Sequence, residues 1–188
     1  MEKTIAEAIQ KAYRAHMTLV HAIPLENAGG RIRLLNGQFV EKIIDIIVDH
    51  IPHAECKKND PVEIRTPRGN VKHHSVDRHI YVGSRLVHVI ECKTYLDSCY
   101  LERAYNDMKL FKKYIGPGVI TTVVALEDNC AESAKGFYAD HFDHCIDNVF
   151  ILMKGKRVSN RPIWQRPFSK DLDPDLLEHC VSKIVTSI

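Results

Sequence analysis

No stretch of the chain approaches the roughly 20 apolar residues that a membrane-spanning helix needs. The longest mostly apolar run, 119–126, contains two threonines and has the length of a buried strand. A charge excess of one sign is also missing. Against 26 Lys and Arg stand 24 Asp and Glu, a formal net charge of +2. That excludes a histone-like polycation and an acidic disordered tail, but allows a local basic patch. The six cysteines, Cys56, Cys92, Cys99, Cys130, Cys145 and Cys180, form no CxxC pair and no framework spacing. Free thiols in a reducing compartment are expected. The N-terminal MEKTIAEAIQKAYR lacks the apolar core of a secretory signal, so a cytoplasmic protein is expected. Internal repeats and low-complexity tracts are absent. What remains is ordinary globular composition, 45% hydrophobic and 27% charged over 188 residues. A chain of this size buries roughly 70% of its unfolded surface without disulfides or structural metal. One domain over residues 1–188 is expected.

Hydrophobic spacing predicts the elements. Ile5, Ile9, Ala12, His16 and Val20 recur every three or four residues, which predicts a helix over 2–20. Pro24 and Gly29-Gly30 predict a loop over 22–36. Phe39, Ile43, Ile46, Ile47 and His50 share one side of a helix over 38–50, ended by Pro52. Residues 62–66 read as a strand before the turn Pro67-Arg68-Gly69-Asn70. Residues 79–82 and 86–94 flank Gly83-Ser84 as a hairpin, and the second strand is apolar on both faces, as inside a covered sheet. A helix over 98–114 follows, capped by Asp97 or Ser98 and stopped by Gly116-Pro117-Gly118. Then come a strand over 119–126, a helix over 131–145, a strand over 149–153 and a basic segment over 154–170. A helix over 176–185, with Pro174 near its start, closes the chain. The order predicts an α/β protein with a central mixed sheet and helices on both faces. Strands and helices do not alternate from the start, which excludes a TIM barrel.

The chemistry lies in Ser75–Thr94. Residues two apart on a strand share a face, so Glu91 and Lys93 project side by side and Cys92 turns away. The hairpin returns Asp77 towards them. Two neighbouring carboxylates repel, which a divalent cation relieves. Mg²⁺ needs only one or two protein carboxylates plus water and substrate phosphate. An adjacent ammonium orients the attacking water or stabilises charge building on phosphorus. The set fits metal-assisted phosphodiester hydrolysis. Register is the condition. A strict two-residue turn at Gly83-Ser84 sets Asp77 opposite Ile90; a three-residue connection, a bulge or a bend sets it opposite Glu91. Asp77 has a second reading, as a cap of the turn after Asn70.

Asp77, thirteen residues, then Glu91-Cys92-Lys93 resembles the PD-(D/E)XK nuclease signature, best known from type II restriction endonucleases. The resemblance extends over residues 38–153. That family's core has a helix, a three-stranded meander carrying the acids and the lysine, a helix and a further strand. The helix over 38–50, the strands within 62–94, the helix over 98–114 and the strand over 119–126 match that order. Residues 2–20 and 154–188 are then additions. The resemblance implies Mg²⁺ held by Asp77 and Glu91, Lys93 positioning the attacking water, and cleavage leaving a 5′-phosphate. It also places Glu41 on the first core helix, where family members often carry a glutamate facing the metal; the other reading of Glu41 is a solvated helix residue. Val76 departs from the proline that often precedes the aspartate.

Basic residues Arg65, Arg68, Lys72, Arg78 and Arg85 cluster around the motif. A second set, Lys154, Lys156, Arg157, Arg161 and Arg166, is interleaved with Asn160, Trp164 and Gln165. Arg reads guanine, Asn and Gln read adenine, and Lys and Arg neutralise phosphates. The expected DNA contacts are Arg65, Arg68, Lys72, Arg78, Lys156, Arg157, Asn160, Arg161 and Gln165. His73, His74 and His79 are expected near phosphates. His141, His144 and Cys145 cluster on one predicted helix, but no second ligand pair stands at finger spacing, so zinc is not expected. The expectation is a Mg²⁺-dependent endodeoxyribonuclease acting on double-stranded DNA, a type II restriction enzyme. A homodimer follows, because one site cuts one strand and a palindrome mirrors a two-fold axis. The alternatives are a repair or recombination nuclease, a nicking subunit of a heteromeric enzyme, and an inactive DNA-binding module. The intact Asp, Glu and Lys argue against the last.

Overall fold

A computed structural model describes residues 1–24, 28–141, 145–157 and 171–188. The elements are α1 (Glu2–His21), α2 (Ala28–Asp49), β1 (Ala54–Lys58), β2 (Val62–Arg65), β3 (Val71–His74), β4 (Arg78–Val82) and β5 (Arg85–Leu96), then α3 (Ser98–Tyr114), β6 (Ile120–Asp128), α4 (Glu132–His141), β7 (Asn148–Ile151) and α5 (Pro174–Thr186). A five-stranded sheet has the order β1-β4-β5-β6-β7. Its β1/β4 and β4/β5 pairs are antiparallel, and its β5/β6 and β6/β7 pairs are parallel. The expected mixed α/β sheet is therefore present.

Side-chain alternation makes three layers. Ile90 and Cys92 of β5 and Val124 and Leu126 of β6 face one core, with Ile5 and Ile9 of α1, Ile43 and Ile47 of α2, and Leu177 and Ile184 of α5. Val123 and Ala125 face the other way, onto Leu101 and Tyr105 of α3. Val89 also faces that way, onto Met108 and Phe111. β5, apolar on both faces, is central because only a position between two helical layers hides both. Asp97 caps α3 by accepting from the Tyr100 amide at 2.9 Å, and Asp173 caps α5 by accepting from the Leu176 amide at 3.1 Å.

Three expectations need correction. The strand expected over 62–66 is not in the central sheet. β2 pairs only with β3, in a separate two-stranded sheet. The first meander position belongs to β1, whose Glu55, Lys57 and Lys58 hide its strand character behind charge, as befits an edge. The loop expected over 22–36 is largely helix. Ala28 and Ile32 are buried against Val20, and this packing outweighs the roughly 1 kcal/mol that each helical glycine costs. The helix expected over 131–145 is the shorter α4, with Cys145 buried after it. No helix among the described residues is long and apolar enough to cross a membrane.

Candidate active site

The register of one hairpin decides whether the acids meet. The turn at Gly83-Ser84 has two residues, since Val82 pairs with Arg85 and Tyr81 with Leu86. Gly83 takes φ +60°, where a side chain would be strained. Ile80 then pairs with His88, which leaves Val87 as a bulge. Beyond the bulge Arg78 pairs with Ile90, so Asp77 arrives beside Glu91. The departure from strict pairing that the site requires is thus a bulge, not a longer turn.

Asp77 Oδ2 accepts from the Cys92 amide at 2.8 Å, which fixes the carboxylate across the strand from the Glu91-Cys92-Lys93 run. Lys93 Nζ donates to Glu91 Oε1 and lies 3.7 Å from Asp77 Oδ2. All three side chains are largely buried. Burial, reinforced by the Asp77 charge, raises the Glu91 pKa above the ordinary carboxylate range, and Lys93 opposes that rise. Burial also pulls on Lys93, but Glu91 and Asp77 outweigh it and raise its pKa, keeping the ammonium charged. Cys92 points into the opposite core, as the alternation predicts.

Among the described residues, no group of three or more His, Cys, Asp or Glu is arranged to hold a metal ion. Two carboxylates converging on one cation are nevertheless a suitable donor set for Mg²⁺, which keeps most of its coordination as water and phosphate. Burial is the main cause of the raised Glu91 pKa and the Asp77 charge the next; a divalent ion between the two carboxylates would relieve that second cause.

No family model matches the chain. Over 126 residues it is 28% identical to the type II restriction enzyme DdeI of Desulfomicrobium norvegicum, a match covering 61% of this chain and 52% of that enzyme. The chain thus spans about half the length of that curated relative. The structure of Pseudomonas aeruginosa (P. aeruginosa ATCC27853) NucC in its cAAA-bound form matches with a TM-score of 0.58 at 8% identity, over 100% of this chain and 91% of that one. A low-resolution structure of the native BbvCI A2B2 tetramer gives a TM-score of 0.47 at 14% identity, over 96% of this chain and 87% of that one. The resemblance to the PD-(D/E)XK superfamily is borne out.

Within this restriction-endonuclease-like fold, Glu41 does not stand free. Its Oε2 accepts from Arg78 Nη1 at 2.8 Å and from Lys58 Nζ at 2.6 Å. Arg78 also grips Asp45 through Nε at 2.7 Å and Nη2 at 3.0 Å, and donates to the Asp77 carbonyl at 3.0 Å. Arg78 was expected to contact DNA, and the structure corrects this. At 5% exposed, with its guanidinium engaged, it is a strut between α2 and the strand entering the site. Two histidines are corrected likewise. His74 is buried against Phe111 and lies 3.3 Å from Asp107. His79 is fully buried with both ring nitrogens unpartnered, and burial pushes its pKa down to about 4.

Arg65, Arg68 and Lys72 are exposed on and beside the β2–β3 hairpin, with Arg65 paired to Glu63 at 2.8 Å. Lys156 is held by Asp128 at 2.6 Å and Glu132 at 2.9 Å. The Arg157 side chain is 9% exposed, with its guanidinium carbon 3.5 Å from the Tyr95 ring centroid and its Nε 3.5 Å from Glu127. Pairing sets Lys156, and burial with pairing sets Arg157, apart from freely exposed cations. Asn160, Arg161 and Gln165 lie outside the described residues. Two neighbours of the site had no sequence signal. Asp107 of α3 adds to the raised Glu91 pKa, and the Tyr100 ring lies 5.8 Å from Lys93 Nζ. Helical spacing from the Asp97 cap places Tyr100 in the first turn of α3, but only tertiary packing brings it to the lysine.

Proposed function

We propose that the chain is a Mg²⁺-dependent deoxyribonuclease that cuts double-stranded DNA as a site-specific type II restriction enzyme, working as a homodimer. One observation carries this reading: the Val87 bulge sets Asp77 beside Glu91 while Lys93 touches both. The similarity to DdeI supports the substrate and the site specificity. Asp77 and Glu91 would hold the metal, which when bound would polarise a phosphoryl oxygen and lower the pKa of bound water. Lys93, kept charged by the two carboxylates, orients the water and meets charge growing on the phosphate. Glu41 enters at one remove, through the guanidinium that also holds the Asp77 carbonyl. The exposed Arg65, Arg68 and Lys72 neutralise phosphates along the duplex.

Cleavage of plasmid DNA of known sequence tests the reading. Discrete bands in Mg²⁺, and none in chelator, are expected. Nicked circles alone would indicate a single-strand cutter, random fragments a repair-type nuclease, and no product a binding module. Lys93→Ala, Glu91→Ala and Asp77→Ala should each lower the rate by about 10²- to 10³-fold, the usual scale for losing one preorganised charged group. For Glu91→Ala and Asp77→Ala, DNA affinity in Ca²⁺ should stay near wild type, since phosphate contacts elsewhere dominate binding. Near-wild-type cutting by folded Lys93→Ala and Glu91→Ala proteins would falsify the site.

A further inference from the structure

Lys93 also lines a concavity of 220 Å³, together with Arg33, Gly37, Cys92, Thr94, Tyr95 and Tyr100. It is smaller than the roughly 300–1,000 Å³ of an ordinary small-molecule pocket. Its walls come from three elements. α2 supplies Arg33 and Gly37, β5 supplies Cys92, Lys93, Thr94 and Tyr95, and the first turn of α3 supplies Tyr100. Two contacts hold them in place: Thr94 Oγ1 donates to the Arg33 carbonyl at 3.2 Å, and the Tyr95 and Tyr100 rings meet edge-on at 5.4 Å.

The lining is cationic and aromatic, with no carboxylate among the wall residues. The Lys93 ammonium is fixed from behind by Glu91. Arg33 uses Nε on the Gly29 carbonyl at 3.2 Å, which leaves its two terminal nitrogens for another acceptor. Gly37 makes the space. A Cβ built there meets only Thr94 Oγ1, at 3.8 Å, and its φ is not in the left-handed region. Glycine is therefore not required by the backbone in this mid-helix position, where it weakens the helix relative to alanine. Two cations, the Tyr100 ring, the Tyr95 ring with the Arg157 guanidinium stacked on one face, and the open position at Gly37 match a nucleotide, with its phosphate on the cations and its sugar or base edge on the rings.

We propose that this pocket receives the nucleotide next to the scissile phosphate, with Arg33 and Lys93 on its phosphodiester, Tyr95 and Tyr100 beneath it, and Gly37 as the residue that leaves it room. The proposal rests on the nuclease reading for the direction of the strand, since Lys93 is the wall shared by both sites. It makes Arg33 and Gly37 substrate-positioning residues contributed by a helix outside the Asp-Glu-Lys motif.

The test measures duplex binding in Ca²⁺ by fluorescence anisotropy, separately from cleavage in Mg²⁺. Arg33→Ala should weaken binding about tenfold and reduce the salt slope by about 1, as for one lost phosphate contact. Arg33→Lys should recover part of both. Gly37→Leu fills the notch from a helix that tolerates leucine better than glycine, so its Tm should equal or exceed that of wild type while affinity falls. Arg33→Ala and Gly37→Leu proteins that are folded and bind duplex as wild type does would overturn the proposal. So would inorganic phosphate raising the Tm of wild type but not of Arg33→Ala while duplex affinity is the same in both, because the pocket would then serve a free anion. If wild type binds with this dependence but cuts no DNA, the nuclease reading falls, and the pocket stands as a duplex-phosphate contact but not as the neighbour of a scissile phosphate. If wild type binds no duplex, both fall.

Discussion

At the residue scale, Arg78 shows how chemistry and burial part company. Read along the chain, it is one more cation beside an acidic motif. In the fold its guanidinium binds Asp45 and Glu41 on α2 and the carbonyl of Asp77. Removing one member of a buried ion pair leaves uncompensated charge. Arg78→Ala should therefore cost about 3 kcal/mol of stability, the low end for such a loss, because Asp45 can rehydrate. Urea denaturation measures the loss. The salt dependence of DNA binding should not change, since a buried strut releases no counterions. A salt slope reduced by about 1 with stability intact would instead make Arg78 a phosphate contact.

At the scale of elements, α3 and α4 respond in opposite directions. The Asp97 carboxylate caps α3 and holds the turn that carries Tyr100. Asp97→Ala should lower stability by about 1 kcal/mol. Its effect on DNA affinity should resemble a weakened Arg33→Ala, because the floor of the same pocket loosens. Gly136 sits inside α4 with nothing within 4 Å of an added Cβ and no positive φ. Gly136→Ala should raise stability by about 0.5–1 kcal/mol, from helix propensity alone. Thermal unfolding followed by circular dichroism checks both. The strand β5 illustrates what periodicity conveys. Its alternation showed that Glu91 and Lys93 share a face and that Cys92 does not, because that depends only on the pleat of one strand.

At the scale of the whole molecule, the C-terminus is tied to the sheet through a histidine. His88 is fully buried; its Nε2 lies 2.8 Å from Thr122 Oγ1 and its Nδ1 lies 3.0 Å from Ser187 Oγ. Burial pushes its pKa down from 6.5 to about 3. The unfolded chain therefore takes up a proton below pH 6.5 that the folded chain refuses until about pH 3. The stability due to this difference is present above pH 6.5 and lost as pH falls through that window. His88→Gln should remove one proton from the pH slope of unfolding, about 1.4 kcal/mol per pH unit. Urea melts at several pH values read it directly. If two chains share a palindrome, light scattering should give twice the 21.5 kDa chain mass at concentrations that cut both strands.

The amino-acid order alone determined what depends on neighbours in sequence. It set the apolar face of α1, a cap for α3 at Asp97 or Ser98, the proline start of α5, the doubly apolar strand β5, and the shared face of Glu91 and Lys93. Tertiary structure decided everything that needed a distant partner. Val87 bulges because β4 and β5 pair past it, and only then does Asp77 reach Glu91. Charged β1, not the strand over 62–66, completes the meander because it fits the edge of β4. α2 begins at Ala28, through two glycines, because Val20 and Ile23 wait to cover Ala28 and Ile32. Arg78 turns inward because Asp45 and Glu41 line the helix above it. Periodicity records which side of an element is buried, but register and partners arise from contacts between residues far apart in the chain, and those contacts build the site.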